Sequence, residues 1–148
     1  MVDVGDKAET DRSATAEGWL HVSDEVVRTL ERGAAPKGDP LLVAQIAGIQ
    51  AAKRTAELIP LCHSLPLSQV DVTLNLDPER RAIRAVATAR VVGRTGVEME
   101  ALTAVSVALL TAYDMLKAID RTMRIDGVRL IRKSGGRSGD FEAADEAT

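Results

Sequence analysis

From residue 101 to residue 113 the chain reads ALTAVSVALLTAY, 13 residues without a charge and with apolar side chains on every side of a helix. A helix that is apolar all round has to be buried all round. At this length it is shorter than the roughly 20 residues needed to cross a bilayer. One face is therefore expected to meet a sheet of the same chain and another to meet a second subunit. Any fold for this sequence has to place that helix in its interior.

The rest of the composition agrees. At 148 residues the chain has the length of one domain, and we read residues 1–148 as one. Trp19, Tyr113 and Phe141 are its only aromatics, so the core is built from Val, Ile, Leu and Ala. Small side chains pack closely but each buries little area, which favours an oligomer. Residues 1–11 and 140–148 hold eight acids and one base, Lys7, and are expected to be flexible acidic ends. The body between them carries 14 acids against 18 bases, a balance of +4. Such a body suits an anionic small molecule; no aromatic stacking platform for nucleic acid accompanies it. Cys62 is the only cysteine, which excludes a disulfide framework and a multi-cysteine metal site. The first dozen residues lack the apolar stretch of a secretory signal, so a cytoplasmic enzyme is expected, without a membrane partner.

Residues 12–22 alternate loosely as a strand. Ser23 precedes a short helix over 24–31 that Gly33 ends. After the loop Ala34-Ala35-Pro36-Lys37-Gly38, Asp39 caps a second helix with Pro40 at its first position. Leu42, Ile46 and Ile49 form the apolar stripe of that helix. Pro60 and Pro66 bracket a non-helical segment. Val70, Val72, Leu74 and Leu76 alternate with polar residues in one strand of a hairpin, and residues 82–92 return. A long helix spans 97–119, a strand 123–131, and a mobile glycine-rich tail follows. Strand, helix pair, hairpin, long helix, strand is the split βαβ order. The expected class is α+β: a ferredoxin-like antiparallel sheet with helices packed on one face.

Several charged residues stand in unusual places. Lys53 follows Ile46 and Ile49 at helical spacing and so continues an apolar stripe. Either its stem snorkels, or its ammonium is partly desolvated at a pocket wall, suited to phosphate or proton transfer. Asp114 and Lys117 lie three apart on the face shared by Val107 and Leu110. A helical salt bridge explains the spacing; a carboxylate and ammonium that pass a proton in a dry cleft explain it equally. Glu98 and Glu100 favour the helix N-terminus, and Arg94-Thr95-Gly96 ahead of them offers backbone N–H groups to an anion. His63 and Cys62 are too few for zinc, even with His21. Lys37 sits in a loop from which it can reach a phosphate. There is no P-loop and no dinucleotide fingerprint.

As strings these residues are more specific. Met1-Val2-Asp3-Val4, Lys37-Gly38-Asp39, Ala47-Gly48-Ile49-Gln50-Ala51-Ala52-Lys53-Arg54-Thr55, Leu58-Ile59-Pro60-Leu61-Cys62-His63, Thr95-Gly96-Val97-Glu98-Met99-Glu100-Ala101-Leu102-Thr103-Ala104, Tyr113-Asp114-Met115 with Lys117-Ala118, and Lys133-Ser134-Gly135-Gly136 follow one another along the chain. Together they resemble the cyclic pyranopterin monophosphate synthases, the MoaC family of molybdenum cofactor biosynthesis. One departure is Gly5, where the family commonly has serine.

The resemblance implies a lyase that rearranges 3',8-cyclo-7,8-dihydroguanosine triphosphate into cyclic pyranopterin monophosphate and releases diphosphate. It implies a homohexamer, a trimer of dimers, with each site at a dimer interface. Asp114, Lys117 and Lys37 match the family's catalytic residues. Leu61, Cys62, His63, Met99 and Glu100 match substrate contacts, Lys53 and His63 basic groups of the phosphate pocket, and Glu98 a further pocket acid. No resident cofactor is implied; magnesium enters only with the triphosphate or diphosphate. The rival reading is a non-catalytic nucleotide-binding module on the same fold.

Overall fold

The computed structural model describes residues 1–137 and 139–144; of the acidic end, residues 145–148 lie outside the described residues. The chain folds as β1 (Thr10–His21), α1 (Asp24–Glu31), α2 (Pro40–Ala52), α3 (Thr55–Leu58), β2 (Gln69–Asp77), β3 (Ala82–Gly93), α4 (Glu98–Leu116), β4 (Arg124–Ser134) and β5 (Phe141–Glu142). The strands form one antiparallel sheet in the order β2-β3-β1-β4-β5. The first four have the α+β, ferredoxin-like arrangement expected, with β3 between β1 and its hairpin partner β2, which lies at one edge.

Period-two patterning decides which face of the sheet is dry. On β1, Ala14, Ala16 and Leu20 point into the core, and on β3 Ile83, Ala85, Ala87, Ala89 and Val91 do the same. Helices α2 and α4 cover that face. Gly18 lets α4 approach: a Cβ there would come within 2.9 Å of Leu109 Cδ1 and Val128 Cγ2. The opposite face of β1 carries Glu17, which is nearly inaccessible. Its carboxylate accepts hydrogen bonds from Arg84 (Nη2, 2.6 Å) and Arg129 (Nε, 2.9 Å). Burial alone would raise its pKa, but the two guanidiniums outweigh burial and hold it below the usual glutamate range.

Several expectations need correction. Of the expected stripe Leu42, Ile46 and Ile49 on the second helix, only Ile49, half-buried, packs against the core. The helix buries Ala44, Gly48, Ala51 and Ala52, because small residues let it lie close against α4: a Cβ on Gly48 would fall 2.9 Å from the Ala104 carbonyl. Leu42 and Ile46 are left 52% and 50% exposed. Lys53 therefore does not sit on a dry stripe; it is exposed at the C-cap of α2. The long helix, expected to meet its own sheet on one face and a second subunit on another, leaves Leu110 58% exposed within this chain. By length and composition α4 could cross a bilayer. It is instead a core helix, with Ala104, Val105, Ala108, Leu109 and Ala112 packed inside the fold.

The glycine-rich tail also begins later than expected. Lys133 and Ser134 belong to β4, and the chain turns through Gly135 and Gly136 (φ +85° and +82°) to pair Phe141 with Lys133. Both glycines are required. Besides the left-handed backbone, a Cβ on Gly135 would strike the Asp11 carbonyl, and one on Gly136 the Arg12 guanidinium. The short helix α3 was not foreseen.

Candidate active site

Helices α2 and α4 run antiparallel, so the loop before α2 lies beside the end of α4. That loop, residues 33–39, closes with Gly38 in a left-handed conformation (φ +91°). Asp39 then caps α2, its Oδ1 accepting from the backbone N–H groups of Leu41 (3.0 Å) and Leu42 (3.1 Å). The cap fixes where Lys37 emerges. Its Nζ lies 3.1 Å from Asp114 Oδ2, and Lys117 Nζ lies 2.6 Å from Asp114 Oδ1. Hydrogen bonds from Lys117, then Lys37, and the charge of both ammoniums hold the Asp114 carboxyl below the usual aspartate range. The three side chains are about half exposed. The dry cleft expected around Asp114 and Lys117 is thus not formed by this chain alone. Chemically the group is an ionised carboxylate between two ammoniums, able to accept a proton and to return one.

The other expected site residues gather at the opposite end of α4. The Pro60–Pro66 segment folds against the first turn of that helix, and Leu61, Cys62, His63, Met99 and Glu100 line a cavity of about 390 Å³ with Glu98. His63 Nε2 is 2.9 Å from the Val2 carbonyl oxygen. Glu100 is buried, which pushes its carboxyl above the usual glutamate range, and the nearby Glu98 charge adds to this. Burial and then the Glu100 charge likewise push the Cys62 thiol up. A raised thiol is a poor nucleophile, so Cys62 is suited to contact rather than attack. Lys53 borders a small cleft shared with His63 and Glu100.

Next to this cavity lies a larger one of about 590 Å³, and it is strongly basic. Arg12, Arg94, Lys133, Arg137 and Lys7 line it, against the acids Asp6 and Glu98. Arg12 donates from Nε to the Gly93 carbonyl (3.0 Å), and Lys133 Nζ lies 3.4 Å from Glu98 Oε1. Glu98, Thr95 and Gly96 line both cavities. Lys133 and Arg12 were missed as site residues. Their signal was the Lys133-Ser134-Gly135-Gly136 string, which reads as a tail until the pairing of β4 with β1 places it beside Arg12. For Arg94 the sequence points to its backbone N–H beside those of Thr95 and Gly96; the structure adds the residue to the lining of the basic cavity. Among the described residues, no group of three or more His, Cys, Asp and Glu could hold a metal ion.

Asp114 and Glu100 are 14 residues apart on one helix, or about 21 Å along its axis. Within one chain, then, the expected residues form two clusters rather than one.

Residues 1–136 match the pattern described as the MoaC family. Among curated relatives, the cyclic pyranopterin monophosphate synthase of Chloroflexus aggregans is 57% identical over 147 residues, covering 99% of this chain and 89% of that protein. The protein of the same name from Methylobacterium nodulans is 60% identical over 143 residues, 97% of this chain and 89% of its own length. That of Roseiflexus castenholzii is 59% identical over 141 residues, 95% and 89%.

Proposed function

The chain belongs to the MoaC family and is a lyase of molybdenum cofactor biosynthesis with cyclic pyranopterin monophosphate synthase activity; from that premise we propose that its chemistry takes place at sites shared between two copies of the chain. The observation that carries this reading is the separation of the two clusters along α4. A general base has to stand within hydrogen-bond reach of the atom it deprotonates, while the same substrate is held at the other cluster. A two-fold axis that lays α4 of one copy antiparallel to α4 of the next brings the Asp114 end of one beside the Glu100 end of the other. The exposed strip of Leu42, Ile46 and Leu110 is the apolar surface such a contact would cover. We extend this to a homohexamer, a trimer of dimers, working in the cytoplasm.

In this scheme the substrate is 3',8-cyclo-7,8-dihydroguanosine triphosphate. Its base rests against Leu61, Cys62, His63, Met99 and Glu100, with Lys53 at the rim. Its phosphates enter the basic cavity beside Arg12, Arg94 and Lys133, a richer set of cations than Lys53 and His63 alone. From the partner copy, Asp114 with Lys117 and Lys37 moves protons as water opens the guanine ring. A sugar hydroxyl then attacks the innermost phosphorus, and the cavity's cations stabilise charge on the departing diphosphate. We assign no resident cofactor; magnesium would travel with the phosphates. The non-catalytic module is set aside because relatives at 57–60% identity carry the synthase name.

Purified protein incubated with the cyclised triphosphate should release diphosphate and cyclic pyranopterin monophosphate. Binding without diphosphate release would return the module reading.

A further inference from the structure

Residues 1–9 lie outside the core. Apart from the half-buried Val4 they are exposed, and their regular structure is one turn, in which Lys7 N–H donates to the Val4 carbonyl at 3.1 Å. What ties them down is the site itself. His63 Nε2 meets the Val2 carbonyl oxygen at 2.9 Å, and Arg94 Nη1 donates to the Gly5 carbonyl at 2.8 Å. A weaker ion pair joins Arg94 to Glu9 at 3.7 Å. One tether is thus a residue of the cavity beside Glu100, and the other is a residue of the basic cavity. A segment with little buried surface and solvent-exposed hydrogen bonds belongs to the low-stability end of a fold. This one is poised to respond to whatever occupies those two cavities.

Lys7 is placed at their junction, since it lines both. Of the other cations lining the basic cavity, Arg12 is engaged with Gly93, Arg94 with Gly5 and Lys133 with Glu98. Arg137, which lines only the basic cavity, shares with Lys7 the lack of a partner among the described residues. Among the described residues the Lys7 ammonium makes no hydrogen bond or ion pair. An ammonium on a flexible stem at the rim of a basic cavity has one evident complement, a phosphate oxygen.

We propose that residues 1–9 form a strap that closes over the occupied site and that Lys7, carried on it, binds the phosphates of the substrate and of the departing diphosphate. This rests on the reading of the basic cavity as the phosphate subsite. Because the tethers are a carbonyl on His63 and a carbonyl on Arg94, the strap can settle only when both side chains hold their places. Phosphate in the cavity then adds a third tether through Lys7. Closure also screens the cavity from water, which strengthens every ionic contact inside it.

The test uses the intact protein and inorganic diphosphate as probe, with affinities from titration calorimetry. Lys7→Ala should weaken diphosphate binding about tenfold, the range for a hydrogen bond to a charged group, and Lys7→Arg should keep it within about threefold. Lys133→Ala should weaken it as well. Diphosphate should slow amide hydrogen exchange over residues 2–9 in the wild type, and not in Lys7→Ala. If Lys133→Ala is weakened while Lys7→Ala binds like the wild type, or if exchange over residues 2–9 is indifferent to diphosphate, the strap is overturned and the phosphate subsite stands. If diphosphate fails to bind the wild type, the subsite reading falls first and the strap with it.

Discussion

Lys37 and Asp114 are 77 residues apart in the chain, yet Lys37 Nζ lies 3.1 Å from Asp114 Oδ2 and 3.2 Å from the Asp114 carbonyl oxygen. The contact exists because the α2 cap and the end of α4 are neighbours in an antiparallel helix pair. With Lys117 it encloses one carboxylate between two ammoniums, and it depends on packing that neither loop nor helix could specify alone.

Replacing any member of this trio should remove catalysis and spare the fold, since all three side chains are half exposed. Asp114→Asn, Lys117→Ala and Lys37→Ala are each expected to lower kcat about 100-fold or more, the scale of general acid–base assistance. Far-ultraviolet circular dichroism and oligomer size should be unchanged. The Asp114 carboxyl, followed by NMR, should titrate higher in Lys117→Ala than in the wild type, and somewhat less so in Lys37→Ala, in the order of the two hydrogen bonds' influence. Wild-type turnover in one of these variants would remove that residue from the mechanism.

Glu100 gives a pH signature of the opposite sign. Burial raises its folded pKa, so the stability linked to it is fully present below the ordinary glutamate range. It is lost as pH rises through the folded value. Glu100→Gln, which cannot ionise, should match the wild type near pH 4 and exceed its melting temperature at pH 7. Thermal scans at the two pH values decide it; the same difference between variant and wild type at both would show that burial does not raise the Glu100 pKa.

Much of this fold was legible because its signals are local. Asp39-Pro40 marks a helix start by cap chemistry and proline geometry, and the alternation around Val72 marks a half-wet strand. What could not be read was which face of α2 is dry. Hydrophobicity pointed to Leu42 and Ile46, whereas close helix packing selected Ala44 and Gly48, because backbone approach is limited by side-chain size rather than polarity. The trio's members were each visible as charges out of place, but their meeting was not, since Lys37 reaches Asp114 only through tertiary packing. Arg12 and Lys133 were hidden for the same reason: the antiparallel pairing of β1 with β4 brings them to one cavity.

The exposed strip makes the assembly testable with a single charge. Leu110→Asp lies on the surface of the isolated chain, so it should alter intrinsic stability by no more than about 0.5 kcal/mol. Across an apolar contact between copies the same carboxylate would be buried without a partner. Sedimentation velocity should therefore show a smaller species, and activity should fall with it. An unchanged assembly would move the interface elsewhere.

The central claim, that each site draws on two copies, is tested most directly by mixing two inactive variants. Asp114→Ala disables one end of α4 and His63→Ala the other. Unfolded together in equal amounts and refolded, they should form mixed dimers in which one of the two sites is intact. Random pairing makes that about a quarter of all sites, so about a quarter of wild-type diphosphate release should return. If the mixture stays as inactive as its components while mixed dimers are present, each site lies within one chain and the shared-site account is wrong.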